Sequence, residues 1–149
     1  MTWVAIGVGV VAVVAWGPVG GREVVAPGAM ATGIDSALAA SADGWNRLDL
    51  DRFMGVYLDS HRTTYATATG YLHGRAAIRA YYAPRFTPET KRTHLDLVDV
   101  EIDSLSPVVA SVMAFYVLKD HDSTVARGPT SLVMQRVGHV WYIVHDHSN

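Results

Sequence analysis

The sequence predicts an α+β domain in which a curved antiparallel sheet wraps around about three helices, most of which precede the strands. Apolar residues recur every three or four positions in three stretches between residues 34 and 83, which is typical of helices with one buried face. Residues 93–147 are instead divided by turn residues into long segments rich in β-branched and aromatic side chains. Helices gathered on one side of such a sheet make an α+β domain, and a bent sheet that stays open at one end leaves a concave mouth.

The composition of the chain limits the classes of protein to which it can belong. The 149 residues correspond to one domain with a sizeable core, and 50% hydrophobic with 17% charged residues indicate a globular chain. The net charge of −2, with no basic run, argues against nucleic-acid binding, which needs clustered Lys and Arg. The absence of cysteine excludes disulfides, thiolate nucleophiles and cysteine-ligated zinc.

The N-terminal part differs in composition from the rest. We interpret residues 1–30 as an apolar extension with a linker, and residues 31–149 as the domain. Trp3–Trp16 is an apolar run with no charge before Arg22, and three interpretations compete: a secretory signal, a single membrane anchor, or an extension upstream of a true start at Met30. A start at Met30 predicts a cytoplasmic protein. The other two predict export or anchoring, and only the anchor involves the membrane.

The helices are predicted first along the domain. Residues 34–48 form a helix whose buried stripe comprises Ile34, Leu38, Ala42 and Trp45. Asp49 can cap a second helix, because its side-chain oxygen can accept from the first free backbone N–H groups. Residues 63–72 form a short hairpin with a turn at Thr69-Gly70. Gly74 precedes a third helix, over residues 75–83, which Pro84 ends.

Long strands follow. Residues 93–102 alternate, but the apolar parity switches between Leu97 and Val98, which predicts a β-bulge. Residues 108–118 are apolar on both faces and predict a central strand covered on both sides. Two further strands are predicted over residues 130–137 and 140–147.

Three motifs, in order, resemble the SnoaL-like or nuclear transport factor 2-like superfamily. Residues 44–51 (GWNRLDLD) resemble its W-N-x-G-D-hydrophobic helix junction, with Leu48 where glycine is usual. Residues 74–82 are similar to its G-x-x-x-I-x-x-x-Y helix. Residues 141–148 are similar to its final W-x-I-x-H-x-H-S strand. That strand is shared by uncharacterised branches of the superfamily and by the association domain of calcium/calmodulin-dependent protein kinase II. The chain has Asn149 at the next position, where a second serine is common.

The resemblance covers residues 34–149 and implies a cone-shaped sheet around helices, one pocket and frequent dimers or larger rings. It implies no single reaction, since related members are cyclases, isomerases, dehydratases, epoxide hydrolases or pure assembly domains. The function must therefore be argued from the site.

The first candidate catalytic group is a histidine pair. Strand alternation puts His145 and His147 on one face, together with Trp141 and Ile143, and puts Asp146 on the other face. Two imidazoles beside apolar groups can act as general acid and base. They can also bind a metal with a third ligand, for which His94 and His139 are the available histidines, or simply hydrogen-bond structural partners.

Asp99 is the third candidate catalytic residue. It interrupts the apolar pattern at the proposed bulge, where side chains are re-aimed. Buried there, its carboxyl would have a raised pKa and could take a proton from a ligand carbon.

Aromatic and thioether side chains supply the candidate ligand contacts. Most of this surface is core, and Tyr57, Tyr82 and Met113 are expected at the mouth. The full predicted ligand-binding set is Trp45, Tyr57, Tyr65, Tyr82, Met113 and Trp141.

The expected function is binding of a small apolar, oxygenated molecule, with cofactor-free acid/base chemistry on it. The sequence has no G-x-S-x-G nucleophile elbow, and it has no phosphate-binding G-x-x-x-x-G-K and no G-x-G-x-x-G that opens a helix, which argues against a nucleotide cofactor. We expect no cofactor and no metal. The alternative is a non-catalytic assembly module like the kinase association domain. Both are compatible with a homodimer or a larger homo-oligomer.

Overall fold

The structure, a computed structural model, describes residues 27–148. The apolar run Trp3–Trp16 and its three interpretations lie outside these residues. In the described part, no helix is long and apolar enough to cross a membrane.

The elements follow the predicted order of helices, hairpin, helix and long strands. Their bounds are α1 Pro27–Arg47, α2 Leu50–Met54, β1 Thr64–Thr67, β2 Gly70–His73, α3 Arg75–Tyr82, a 3-10 helix Ala83–Phe86, β3 His94–Ser106, β4 Val109–Asp120, β5 Ser123–Val137 and β6 Val140–Ser148. The strands form one sheet in the order β2-β1-β6-β5-β4-β3. All neighbours are antiparallel except β1 and β6, which are parallel. The α+β class with a curved, open sheet is confirmed.

The first helix is longer than the sequence predicts. It begins at Pro27 rather than at Ile34, and it runs across the expected boundary between residues 30 and 31. Met30 lies in the hydrophobic core one turn before Ile34, which extends the buried stripe. The extension was not predicted because glycine, a poor helix former, lies at positions 28 and 33.

The junction between α1 and α2 explains the motif at residues 44–51. Leu48 has φ 58°, its N–H donates to the Trp45 carbonyl at 3.1 Å, and the Asp49 N–H donates to the Gly44 carbonyl at 2.8 Å. This is the Schellman pattern, in which the left-handed residue is usually glycine. The Asp49 side chain then accepts from the Arg52 N–H at 2.9 Å, which confirms the predicted cap.

The bulge in β3 lies one to two residues beyond the predicted position. Val98 pairs with Phe115, Glu101 pairs with Met113, and the extra residues include Asp99 with φ 54°. Aspartate tolerates this left-handed conformation better than the β-branched Val98 does, which places the bulge after Val98.

The prediction that β4 is covered on both faces differs from the structure. Ala110, Val112 and Ala114 are buried on the concave face, whereas Met113 on the other face is 48% exposed. The core therefore lies between the helices and the concave face, where Ile34, Met54, Ile78, Val112 and Met134 are fully buried.

Candidate functional site

A bulge in β6 decides which side chains of the last strand face inward. Ile143 pairs with Met134 and His145 pairs with Val133, so Val144 is an extra residue on this strand. An extra residue reverses the alternation beyond it. As a result Asp146, and neither histidine, follows Ile143 onto the concave face.

The concave face and the helices enclose a cavity of about 380 Å³. This volume lies in the range of roughly 300–1,000 Å³ that is usual for small-molecule sites. The lining is mostly apolar and aromatic: Leu38, Ser41, Ala42, Trp45, Phe53, Tyr57, Tyr65, Thr67, Ala68, Tyr81, Tyr82, Arg85, Leu95, Leu97, Tyr116, Leu118, Thr130, Leu132, Ile143, Asp146 and Ser148.

Asp146 lies at the base of this cavity and is only 4% exposed. The Tyr57 hydroxyl donates to its Oδ2 at 2.5 Å, and the Ser148 hydroxyl donates to its Oδ1 at 2.7 Å. The Ser148 hydroxyl is in turn 2.7 Å from the Thr130 hydroxyl. Each carboxylate oxygen thus has one fixed donor, which orients the group and leaves further lone pairs.

Burial raises the pKa of the Asp146 carboxyl above its ordinary value of 3.8, and the hydrogen bonds from Tyr57 and Ser148 lower it in part. A raised pKa brings the carboxyl nearer to neutrality, where a proton acceptor and donor works best.

Tyr57, Tyr65 and Tyr82 line the cavity together with Asp146. The Tyr82 ring packs against the Tyr65 ring, with 5.6 Å between their centroids. Burial, followed by the charge of Asp146, raises the pKa of Tyr57 and of Tyr82 well above 10.0. Both hydroxyls therefore stay protonated at neutral pH. The Tyr57 hydroxyl donates to Asp146, and the Tyr82 hydroxyl can donate to a ligand oxygen.

The mouth is marked by the lining residues that solvent reaches. Ala68, Tyr81 and Arg85 are exposed, whereas the lining residues on β6 are buried or half-buried. The cavity thus has an acidic, buried base and an exposed mouth that carries a guanidinium group.

Four of the six predicted ligand-binding residues line the cavity: Trp45, Tyr57, Tyr65 and Tyr82. Trp141 is on the concave face but is covered by α1, where Gly33 leaves room for its ring. Met113 was predicted to lie at the mouth, but it lies on the outer face of β4 instead.

The three predicted catalytic residues lie outside the cavity lining. His145 and His147 are not on the face of Trp141 and Ile143, so that parity prediction is wrong because of the extra residue Val144. His145 instead has its Nδ1 2.7 Å from the Thr64 hydroxyl of β1, which corresponds to the structural alternative.

Asp99 does lie in a bulge, but its side chain is exposed rather than buried. It is 3.4 Å from the Arg127 guanidinium in a surface ion pair. No cluster of three or more His, Asp or Glu side chains suited to a metal occurs within residues 27–148.

Asp146 and Arg85 line the cavity but were not predicted as site residues from the sequence. The continuous apolar run from Val140 to Val144 was the available signal for the β6 bulge, because such a run breaks strict alternation. Arg85 gave no signal, since it follows Pro84 at the end of a helix, where exposed arginine is common.

This chain is similar to one described protein family. The model of a family described as the SnoaL-like domain matches residues 34–148. No curated protein matches the chain.

Solved structures share the fold. A nuclear transport factor 2-like protein of unknown function from Shewanella oneidensis MR-1 is 25% identical, with a TM-score of 0.72 over 80% of this chain and 98% of that one. A nuclear transport factor 2-like superfamily protein from Salmonella enterica is 18% identical, with a TM-score of 0.69 over 83% and 92%. A candidate scytalone dehydratase from Novosphingobium aromaticivorans is 10% identical, with a TM-score of 0.69 over 80% and 83%, which shows the common fold alone.

Proposed function

Because this chain belongs to the SnoaL-like domain family, we propose that its cavity binds a small apolar, oxygenated molecule and that Asp146 exchanges a proton with it, without a cofactor. The observation that carries this proposal is a buried carboxyl at the base of an apolar cavity, held by Tyr57 and Ser148. Such carboxyls act as general acids and bases because burial moves their pKa toward neutrality.

The simplest step is removal of a proton from a carbon next to a ligand carbonyl. The C–H bond breaks, the proton goes to a carboxylate oxygen of Asp146, and the electron pair moves onto the carbonyl oxygen as an enolate. Tyr82 is the hydroxyl donor best suited to that oxygen, because Tyr57 already donates to Asp146. In a β,γ-unsaturated ketone, return of the proton from Asp146 to the γ carbon gives isomerisation. In a β-hydroxy ketone, the carbonyl re-forms and an α,β double bond forms as the β C–O bond breaks; the leaving oxygen takes the proton from Asp146 and departs as water, which gives dehydration.

A simple enolisable ketone tests this step without knowledge of the natural substrate. The probe is 2-acetylnaphthalene in D₂O, with exchange of its methyl protons followed by NMR. Wild-type protein should accelerate the exchange. We expect Asp146→Asn to lower the protein-catalysed rate by about 100-fold or more, and Tyr82→Phe by about 10-fold.

His147→Ala is the matched control, because His147 neighbours Asp146 in sequence but does not line the cavity. It should exchange at the wild-type rate. Exchange by Asp146→Asn at the wild-type rate would reject Asp146 as the base, and loss of exchange in His147→Ala would restore the histidine hypothesis.

Self-assembly is a second candidate function, compatible with the first. The specific observation is the outer sheet face, where Met113 is half exposed and pairs laterally with Glu101 and Ser131. A second copy of the chain would cover this face in a symmetric dimer, which is the commonest oligomer.

A further inference from the structure

The charged groups of the cavity lie at its two ends. Among residues 27–148, Asp146 is the one acidic side chain that lines the cavity and Arg85 is the one basic side chain. Asp146 is buried at the base and Arg85 is exposed at the mouth. Between them the walls are aromatic and aliphatic, so a ligand that spans the cavity meets a negative end, an apolar middle and a positive end.

Aromatic stacking holds the Arg85 guanidinium in place. Its Cζ lies 4.5 Å from the centre of the Tyr81 ring and 5.6 Å from that of Tyr82. One terminal nitrogen donates to the Tyr81 carbonyl at 2.7 Å. The stacked, planar group is therefore oriented in advance, with N–H donors left for another partner.

Arg85 differs in its charge balance from five other arginines among residues 27–148. Arg47, Arg52, Arg75, Arg79 and Arg127 each lie within ion-pair distance of an aspartate. Arg85 has no carboxylate partner of this kind among residues 27–148. Its positive charge is thus uncompensated at the entrance to an apolar cavity, where interactions with an anion are less screened than on an open surface.

We propose that Arg85 binds a carboxylate group on the ligand and so directs the opposite, enolisable end of the molecule to Asp146. A planar guanidinium matches a carboxylate in shape and in its single charge, and can bind it through two parallel hydrogen bonds. The reverse orientation would put the ligand carboxylate against Asp146, where like charges repel. The substrate class is therefore an aromatic or alicyclic keto acid whose carboxylate lies at the mouth. This inference rests on the proposed function of the cavity.

Two probes of almost the same shape test whether Arg85 binds a ligand carboxylate: 6-acetyl-2-naphthoate and its neutral analogue 6-acetyl-2-naphthamide. Their affinities are measured by calorimetry at low ionic strength. Wild-type protein should bind the carboxylate about 10-fold more tightly than the amide. Arg85→Gln should abolish this preference, because its affinity for the carboxylate falls by about 10-fold. Addition of 0.5 M KCl should reduce the wild-type preference through screening.

Arg79→Gln is the matched control, because Arg79 lies on α3, directly before the 3-10 helix that carries Arg85, but pairs with Asp51 and does not line the cavity. It should retain the preference. Equal binding of the two probes by wild-type protein, or a preference that survives in Arg85→Gln, would overturn the inference.

Failure of this inference and failure of the proposed function give different results. If Arg85 has no role, both probes bind equally and Asp146-dependent proton exchange persists. If the proposed function is wrong, the exchange of the neutral ketone is unaffected by Asp146→Asn, whatever the charge preference. Absence of binding for both probes would reject both proposals.

Discussion

At the scale of single residues, Asp146 combines a functional position with a cost in stability. Its carboxyl is buried among aromatic side chains and has two hydrogen-bond donors, which offset only part of the loss of hydration. A charge in such a place makes folding depend on pH. The direction of this dependence follows from the direction of the pKa shift.

Replacing Asp146 by Asn should change how stability varies with pH. Because the folded-state pKa of Asp146 is raised above 3.8 by burial, the folded chain binds more protons than the unfolded chain between the two values. The wild-type free energy of unfolding should therefore fall, relative to that of Asp146→Asn, as pH rises from 3.8 through the folded-state pKa, and then level off. The fall should be about 1.4 kcal/mol for each unit by which the pKa is raised. Urea denaturation between pH 4 and 8 measures it.

Asp96 supplies the opposite case. The hydrogen bond from Lys119 lowers its pKa, so its contribution to stability is present above the ordinary value of 3.8 and is lost as pH falls through the folded-state pKa. Asp96→Asn should thus show a pH trend of opposite sign, and this trend appears below about pH 4, so the urea denaturation is extended to that range. A pH-independent difference between wild type and Asp146→Asn would contradict the buried, ionisable state of Asp146.

At the scale of elements, close approach and an extra residue determine the site. Gly44 lets the start of α2 lie against α1, because a Cβ at this position would collide with the backbone of Phe53. This contact places Phe53 and Tyr57 over the cavity. In β6, Val144 turns Asp146 inward and both histidines outward.

The contact between α1 and α2 can be tested with a pair of glycine substitutions. Gly44→Ala should lower the free energy of unfolding by about 1–3 kcal/mol, because rigid backbone atoms must move to admit the methyl group. Gly28→Ala is the control, since it lies in the same helix with no atom within 4 Å of the added Cβ. It should be neutral or stabilise by about 0.5–1 kcal/mol. Equal effects at the two positions in urea denaturation would refute the close contact.

At the scale of the whole molecule, the sheet separates two surfaces with different roles. The concave face and the helices enclose the cavity, whereas the outer face carries Met113 together with the strand positions of His145 and His147. Met113 on the outer face is 48% exposed, and the proposed dimer would cover it. The cavity and the proposed dimer contact can therefore coexist in one chain.

A charge on the outer face tests the proposed dimer. We expect wild-type protein to sediment as a dimer at micromolar concentration and Met113→Glu to sediment as a monomer. An unpaired carboxylate in the interface should raise the dissociation constant by about 100-fold or more. Leu105→Glu is the control, because Leu105 is 62% exposed at the far end of β3. A monomeric wild-type protein, or a dimeric Met113→Glu variant, would contradict the proposal.

The sequence by itself determined the fold class, the order of the elements and the aromatic wall formed by Trp45, Tyr57, Tyr65 and Tyr82. These depend on local periodicity, capping and turn residues, which can be recognised within a few positions of one another.

Only the tertiary structure decided which residue of His145-Asp146-His147 faces the cavity. One extra residue in β6 reverses the alternation, and its place depends on how β6 pairs with β5. The position of Arg85 at the cavity mouth also could not be predicted from the sequence, because it follows from how α3 and the 3-10 helix after it pack against the sheet. Local patterns specify which segments form helices and strands, whereas pairing and packing between elements determine which side chains face the site.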